Sequence, residues 1–304
     1  MRIALIGAVE TTAATLEELC RHGSRPVAVI SLPGELASRH SDFVDLEALA
    51  AVHGVPFHPV DNVNTPEALA LIAGLDLDWL VVVGWSQICG PELLALPRQG
   101  SIGYHPAALP KMRGRAVIAW TILLGVEETA GSLFLMAPTV DSGALVAQEP
   151  FTLDPRETVS SLISRHVGAL RRMWASILPL GAAAQLPGRV QDETGATYCA
   201  KRVATDGEID WTASAVEIDR LVRAVSAPYP GAFSQYRNRR LVIHAARPWG
   251  GATHYGLAGQ ILERPEDGLL IACGGYTALW VEAWSWADGI EGKAPPVGRR
   301  LTAG

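Results

Sequence analysis

His105 stands at the head of the run His105-Pro106-Ala107-Ala108-Leu109-Pro110, and a carboxylate follows further along in Asp141-Ser142-Gly143. An imidazole and a carboxylate brought together are parts for moving a proton, because an unperturbed histidine titrates near working pH. Pro106 and Pro110 stiffen the loop, and a proton carrier that must stay in place needs that stiffness. Lys111, Arg113 and Arg115 lie beside it. A guanidinium grips phosphate or carboxylate as a fork, so this cluster is a candidate substrate contact; solvated surface or an ion pair with a nearby acid is the other reading.

These side chains need elements to hold them. Strand-like runs at Arg2–Ile6, Pro26–Ile30, Trp79–Val83, Ser101–Tyr104 and Ser132–Met136 alternate with helical patterns at Thr12–Arg21, Asp45–His53, Thr65–Ala73, Pro91–Leu96, Ala116–Leu124 and Thr158–Ile177. Such alternation predicts an α/β fold with a Rossmann-like, mostly parallel sheet flanked by helices. Ligands of these sheets collect beyond the carboxyl ends of the strands, where His105 falls. After Tyr198 come a helix with Ile218, Leu221, Val222 and Val225 on one face, the turn Pro228-Tyr229-Pro230-Gly231, and five short strand-like runs. That pattern predicts a smaller C-terminal open β-barrel, OB-like domain. The expected domains are 1–181 and 198–304, with a linker at 182–197.

Composition narrows the class. A chain of 304 residues, 49% hydrophobic and 18% charged, can bury a sizeable core. No apolar run is long enough to span a bilayer, and no signal peptide is evident, so the expectation is a cytoplasmic protein without a membrane partner. The four cysteines form no CxxC pair and the histidines no HxH or HExxH spacing, so no metal is expected. Gly7-Ala8-Val9-Glu10 lacks a dinucleotide fingerprint. The net charge of −6 argues against a nucleic-acid partner.

The stretch from Gly100 to Gly143 resembles the core of the formyltransferase family, whose usual pattern is Asn-x-His-Pro/Gly-Ser-Leu-Leu-Pro-x-x-Arg-Gly followed by Asp-x-Gly. The Pro-x-Pro-Gly-Ala-Phe pattern after the second-domain helix is similar to the C-terminal domain of the same family, especially its nucleotide-aminosugar branch; the branch acting on methionyl-tRNA is related. The resemblance implies N-formyl transfer from 10-formyltetrahydrofolate to a primary amine of a small molecule, such as a nucleotide-linked amino sugar, and a homodimer. It implies that the loop of Trp85, Ser86, Gln87 and Ile88 wraps the pterin through backbone groups, with Val140 and Asp141 closing the pocket. Trp85 could also cover a ring by stacking. His105 would manage the proton of the attacking amine or donate to the oxyanion. Asp141 would orient His105, touch the amine or bridge a water.

One position departs from the pattern. Gly103 stands where the family has the Asn whose amide donates to the formyl oxygen, a contact worth about 3 kcal/mol in comparable sites. Three readings stay open. A backbone N–H, a water, Ser101 or Tyr104 replaces the donor, although an undisturbed strand turns Tyr104 away. Alternatively, the glycine makes room for a bulkier acyl group, with acetyl-CoA or another acyl-CoA as donor. The last is a site that binds ligand without turnover.

Overall fold

Alternate residues of β1 (Ile3–Ile6) serve two cores: Ile3 and Leu5 face one side of a sheet, Ala4 and Ile6 the other, and all four are buried. A strand covered on both faces reads as a continuous apolar run. The computed structural model describes the chain except for residues 40–41, 181–185, 187, 265–267 and 303–304. It divides into two units. The first comprises residues 1–117, 128–153 and 163–200, and the second comprises 118–127, 154–162 and 201–304.

In the first unit, β1 is joined by β2 (Ala28–Ser31), β3 (Phe57–Pro59), β4 (Trp79–Val82), β5 (Gly100–His105), β7 (Glu128–Leu135) and β8 (Leu145–Thr152), in the order β3-β2-β1-β4-β5-β7-β8. β3, β2, β1, β4 and β5 run parallel to one another, and β7 is antiparallel to both β5 and β8. The mostly parallel, helix-flanked sheet expected from the sequence is therefore present. Helix α1 (Glu10–Arg21) and helix α6 (Val159–Ile177) cover one face with Leu16, Leu19, Leu170, Met173 and Trp174. Helix α3 (Pro66–Gly74) and helix α4 (Pro91–Leu94) contribute Ala68, Ile72 and Leu93 to the other. Each fully buried leucine or isoleucine contributes about 1.5–3 kcal/mol. The starts of α2 (Leu46–Val52) and α3 are set by local chemistry. Asp45 caps the Glu47 N–H, and Thr65 caps the Ala68 N–H with Pro66 at the first helical position.

Two strands had no clear sequence signal. β3 is three residues long, and β8 lies at the sheet edge, where Pro150 is tolerated because no ladder bond is lost. A two-residue parallel pair, β6 (Arg113–Gly114) with β9 (Tyr198–Cys199), is also unannounced by pattern. The segment 182–197, expected as a linker, leads into it. Of that segment, 182–185 and 187 lie outside the described residues. Residues 189–197 pack into the first unit, with Arg189 bridged to Leu145 and Thr197 bonded to Met112.

The second unit holds α5 (Val117–Leu123), except for its first residue, and α7 (Ala215–Ala224), whose start is a Ser214–Glu217 capping box. Strands β10 (Ala232–Tyr236), β11 (Arg239–Pro248), β12 (Ile261–Glu263), β13 (Leu269–Ala272) and β14 (Ala278–Trp286) form one antiparallel sheet, β10-β11-β14-β13-β12. Register shifts near Ala245 bend β11, as bulges do in small half-barrels. No helix among the described residues is long and apolar enough to cross a membrane.

Candidate active site

β5 delivers Gly103 and His105 to one face of the sheet and Tyr104 to the other. Tyr104 is bonded through its hydroxyl to His166 Nδ1 at 2.8 Å, on the α6 side, and burial holds the phenol in its protonated form. It is therefore not the missing donor. His166 is itself buried, its ring packed edge-on to Phe151, and burial together with the charge of His105 pushes it down to about 3.

His105 is only 5% exposed, and both ring nitrogens face acceptors. Nε2 lies 2.7 Å from the Met112 carbonyl oxygen, and Nδ1 lies 3.4 Å from Asp141 Oδ2. The Met112 carbonyl can only accept, so Nε2 donates to it, while Nδ1 faces the Asp141 carboxylate. The imidazole and carboxylate singled out in the sequence therefore do meet. Their meeting depends on unusual backbone. Met112 (φ 58°) and Asp141 (φ 52°) are both left-handed, a conformation L-residues hold only where the surroundings enforce it. The enforcing contacts are visible. Gly114 N–H donates to Asp141 Oδ2 at 2.8 Å, and Met112 N–H donates to Thr197 Oγ1 at 2.8 Å. Gly114 must be glycine: it sits at φ 104°, and a Cβ there would stand 2.5 Å from the Cys199 carbonyl oxygen.

Ser132 and Gln148 pin the proline loop from below. Ser132 Oγ donates to Ala107 O at 2.6 Å and accepts from Gln148 Nε2 at 3.0 Å and, longer, from Leu109 N. Gln148 Nε2 also donates to Leu109 O at 2.9 Å. Neither residue carried a motif, because their role appears only when β7 and β8 pair beneath the loop.

Gly103 does not open an acyl pocket. A Cβ at 103 would lie 2.8 Å from Cζ of Phe134, its cross-strand partner, and 3.1 Å from Met136 Cγ. Protein side chains fill the space, so the alternative reading of room for an acetyl-CoA or other acyl-CoA donor finds no support here. Ser101 Oγ shares this face of β5, buried and without a hydrogen-bond partner.

The basic cluster separates into two kinds of residue. Arg113 is fully buried, its fork closed on Glu193 at 2.7 and 2.8 Å, on Gln191 Oε1 at 2.8 Å and on the Tyr198 hydroxyl at 3.2 Å. Glu193 strengthens the guanidinium's hold on its proton, and Arg113 in turn lowers the Glu193 carboxyl. This corrects the reading of Arg113 as a substrate contact. Lys111 and Arg115 are exposed.

In the loop after β4, Trp85 is half-buried and its Nε1 is shielded without a partner, while Ser86 and Ile88 are exposed. The Gln87 side chain is engaged inside the protein, donating to Asp61 O and accepting from Val63 N, so only its backbone is left for a ligand. Val140 is exposed beside Asp141.

Residues 1–172 match the formyl transferase family, and residues 202–294 match the formyl transferase C-terminal domain. The chain belongs to the formyl transferase family. Among its relatives, a methionyl-tRNA formyltransferase of Geotalea uraniireducens is 32% identical, over 100% of this chain and 93% of the relative. A second, from Citrifermentans bemidjiense, is 30% identical, over 100% of this chain and 92% of the relative. Among solved structures, the sugar 3N-formyl transferase WlaRD, with dTDP and 5-N-formyl-THF present, superposes with a TM-score of 0.66 at 15% identity, covering 92% of this chain and 97% of the other. A Helicobacter canadensis N-formyltransferase in complex with folinic acid and dTDP-3-aminofucose gives 0.65 at 14%, covering 92% and 98%. At such identities the likeness is one of fold. This formyl transferase family member is thus a transferase by descent, and its His105 and Asp141 stand in contact.

Proposed function

We propose that the protein transfers a formyl group from 10-formyltetrahydrofolate to the primary amine of a small anionic acceptor such as a nucleotide-linked amino sugar. The contact between His105 and Asp141 carries this reading. The Nε2 proton, now given to the Met112 carbonyl, is the one available to the formyl oxygen in place of the amide that Gly103 lacks. Asp141 balances the charge of the imidazole and fixes its plane. Lys111 and Arg115 are exposed beside the site and would neutralise acceptor phosphates.

The folate fits the residues present. Trp85 Nε1 is a shielded donor without a partner, and a pterin offers ring acceptors; Ser86, Ile88 and Val140 supply an exposed rim. Those residues, with the backbone of Gln87, would hold it, and bound there it supplies the formyl group.

A second reading has its own support. The two methionyl-tRNA formyltransferases align over the whole chain, which favours methionyl-tRNA as acceptor. The net charge of −6 favours the small molecule, since tRNA binders usually gather positive charge. The protein is to be incubated with 10-formyltetrahydrofolate and either amino-sugar nucleotides or initiator methionyl-tRNA, with the products weighed by mass spectrometry. A formamide on the small amine supports the proposal. Formylation of the tRNA alone replaces it with the second reading, and no formyl product from either acceptor ends both.

A further inference from the structure

The two acceptors that flank His105 are both held by one short segment, residues 191–197. Gln191 is buried, and its amide is fully engaged. Nε2 donates to the backbone carbonyls of Asp141 at 2.8 Å and Gly143 at 2.7 Å, while Oε1 accepts from Arg113 at 2.8 Å. Glu193 holds the other side of that guanidinium. At the far end of the segment, Thr197 Oγ1 accepts from Met112 N–H, and Thr197 O accepts from Arg113 N–H at 2.8 Å. Gln191 thus fixes the left-handed turn that aims the Asp141 carboxylate at Nδ1. Thr197 fixes the left-handed turn that aims the Met112 carbonyl at Nε2. Arg113-Gly114 ties the two together, since Gly114 N–H binds the Asp141 carboxylate.

We propose that Gln191 and Thr197 are positioning residues for His105, fixing its ring by placing an acceptor at each nitrogen. This rests on the reading of His105 Nε2 as the donor to the formyl oxygen in formyl transfer. Side chains that merely stabilise the fold would leave the surroundings of the His105 ring nitrogens unchanged; loss of these two would not. A displacement of an ångström at such a site costs about 10- to 100-fold in turnover.

The test uses the full chain in four forms: wild type, Gln191→Leu, Thr197→Val and the conservative Thr197→Ser. Two measurements are made on each. One is kcat and KM for formyl transfer across pH. The other is the ¹⁵N spectrum of the His105 ring, assigned by its loss in His105→Ala, which reads the ring whether or not the protein turns over. The expected result is a kcat loss of about 10- to 100-fold in Gln191→Leu and Thr197→Val with KM within about twofold. The pH–kcat profile is displaced, the ring resonances move, and Thr197→Ser behaves as wild type. If Gln191→Leu does not fold, Thr197→Val, which exchanges one hydroxyl for a methyl, carries the test. Unchanged ring resonances in the folded variants overturn the proposal, even if their melting temperatures fall. Resonances that move in a protein showing no formyl transfer at all uphold the positioning role and remove the functional reading instead.

Discussion

The ring of Phe134 stands where a side chain on Gly103 would have to go. The two residues are cross-strand partners on β5 and β7, and Phe134 is buried with Leu109 and Leu145. The space directly beside Gly103 is therefore filled by apolar side chains. The absence of a side chain at 103 and the aromatic ring at 134 are two aspects of one arrangement, so neither changes alone without cost.

Gly103→Asn is accordingly expected to destabilise the protein by about 1–3 kcal/mol, the usual cost of overpacking a filled site. Urea unfolding measures this. Combining it with Phe134→Ala gives the amide its space. The double variant should then be more stable than the sum of the two single changes predicts, because the clash is gone. Additive losses would mean that the ring and residue 103 do not compete.

Arg113 and its two exposed neighbours should part company on mutation. Arg113→Ala opens a cavity and strips Gln191 and Glu193 of their donor, a loss of about 2–3 kcal/mol in unfolding experiments. Lys111→Ala and Arg115→Ala should leave stability within about 0.5 kcal/mol. Each should raise KM for a phosphorylated acceptor about tenfold, as expected for one charge-assisted contact. A salt-insensitive KM that is unchanged in both variants would remove these cations from the acceptor site.

Much of this was legible in the chain because it is local. The continuous apolar runs of β1 and β4, the helix starts at Asp45 and Thr65, and the proline-braced loop after His105 all declare themselves within a few residues. What stayed hidden depends on distant pairing. Nothing near Arg113 says that Glu193 will close its fork, and nothing near Gly103 says that Phe134 will lie across from it. The polar composition of 189–197 reads as a linker, because its hydrogen-bond partners, Met112, Arg113 and Asp141, lie far off in sequence.

Ser132 offers a direct test of how the His105 loop is held. Its hydroxyl is buried and joins Ala107, Leu109 and Gln148. Ser132→Ala leaves those groups short of a partner and should cost about 1–3 kcal/mol. Because the loop carries His105 at its base, kcat should fall as well, with donor KM little altered. Loss of stability with full kcat in the folded fraction would show that the loop keeps its course without this hydroxyl.

His166 predicts an acid-sensitive term in stability. Burial, with a smaller contribution from His105, lowers its folded-state value to about 3, against about 6.5 in an unfolded chain. Below about pH 6.5 the unfolded state takes up a proton that the folded state refuses, so stability is full above that value and is lost as pH falls towards 3. The slope from this residue is about 1.4 kcal/mol per pH unit within the window. His166→Leu loses the bond from Tyr104 and should be the weaker protein at pH 7.5. It lacks the titrating ring, however, so the gap to wild type should narrow by about 1–2 kcal/mol between pH 7.5 and pH 5 in urea unfolding. A gap that stays constant over that range would mean that His166 binds its proton equally in both states and is not desolvated as its burial implies.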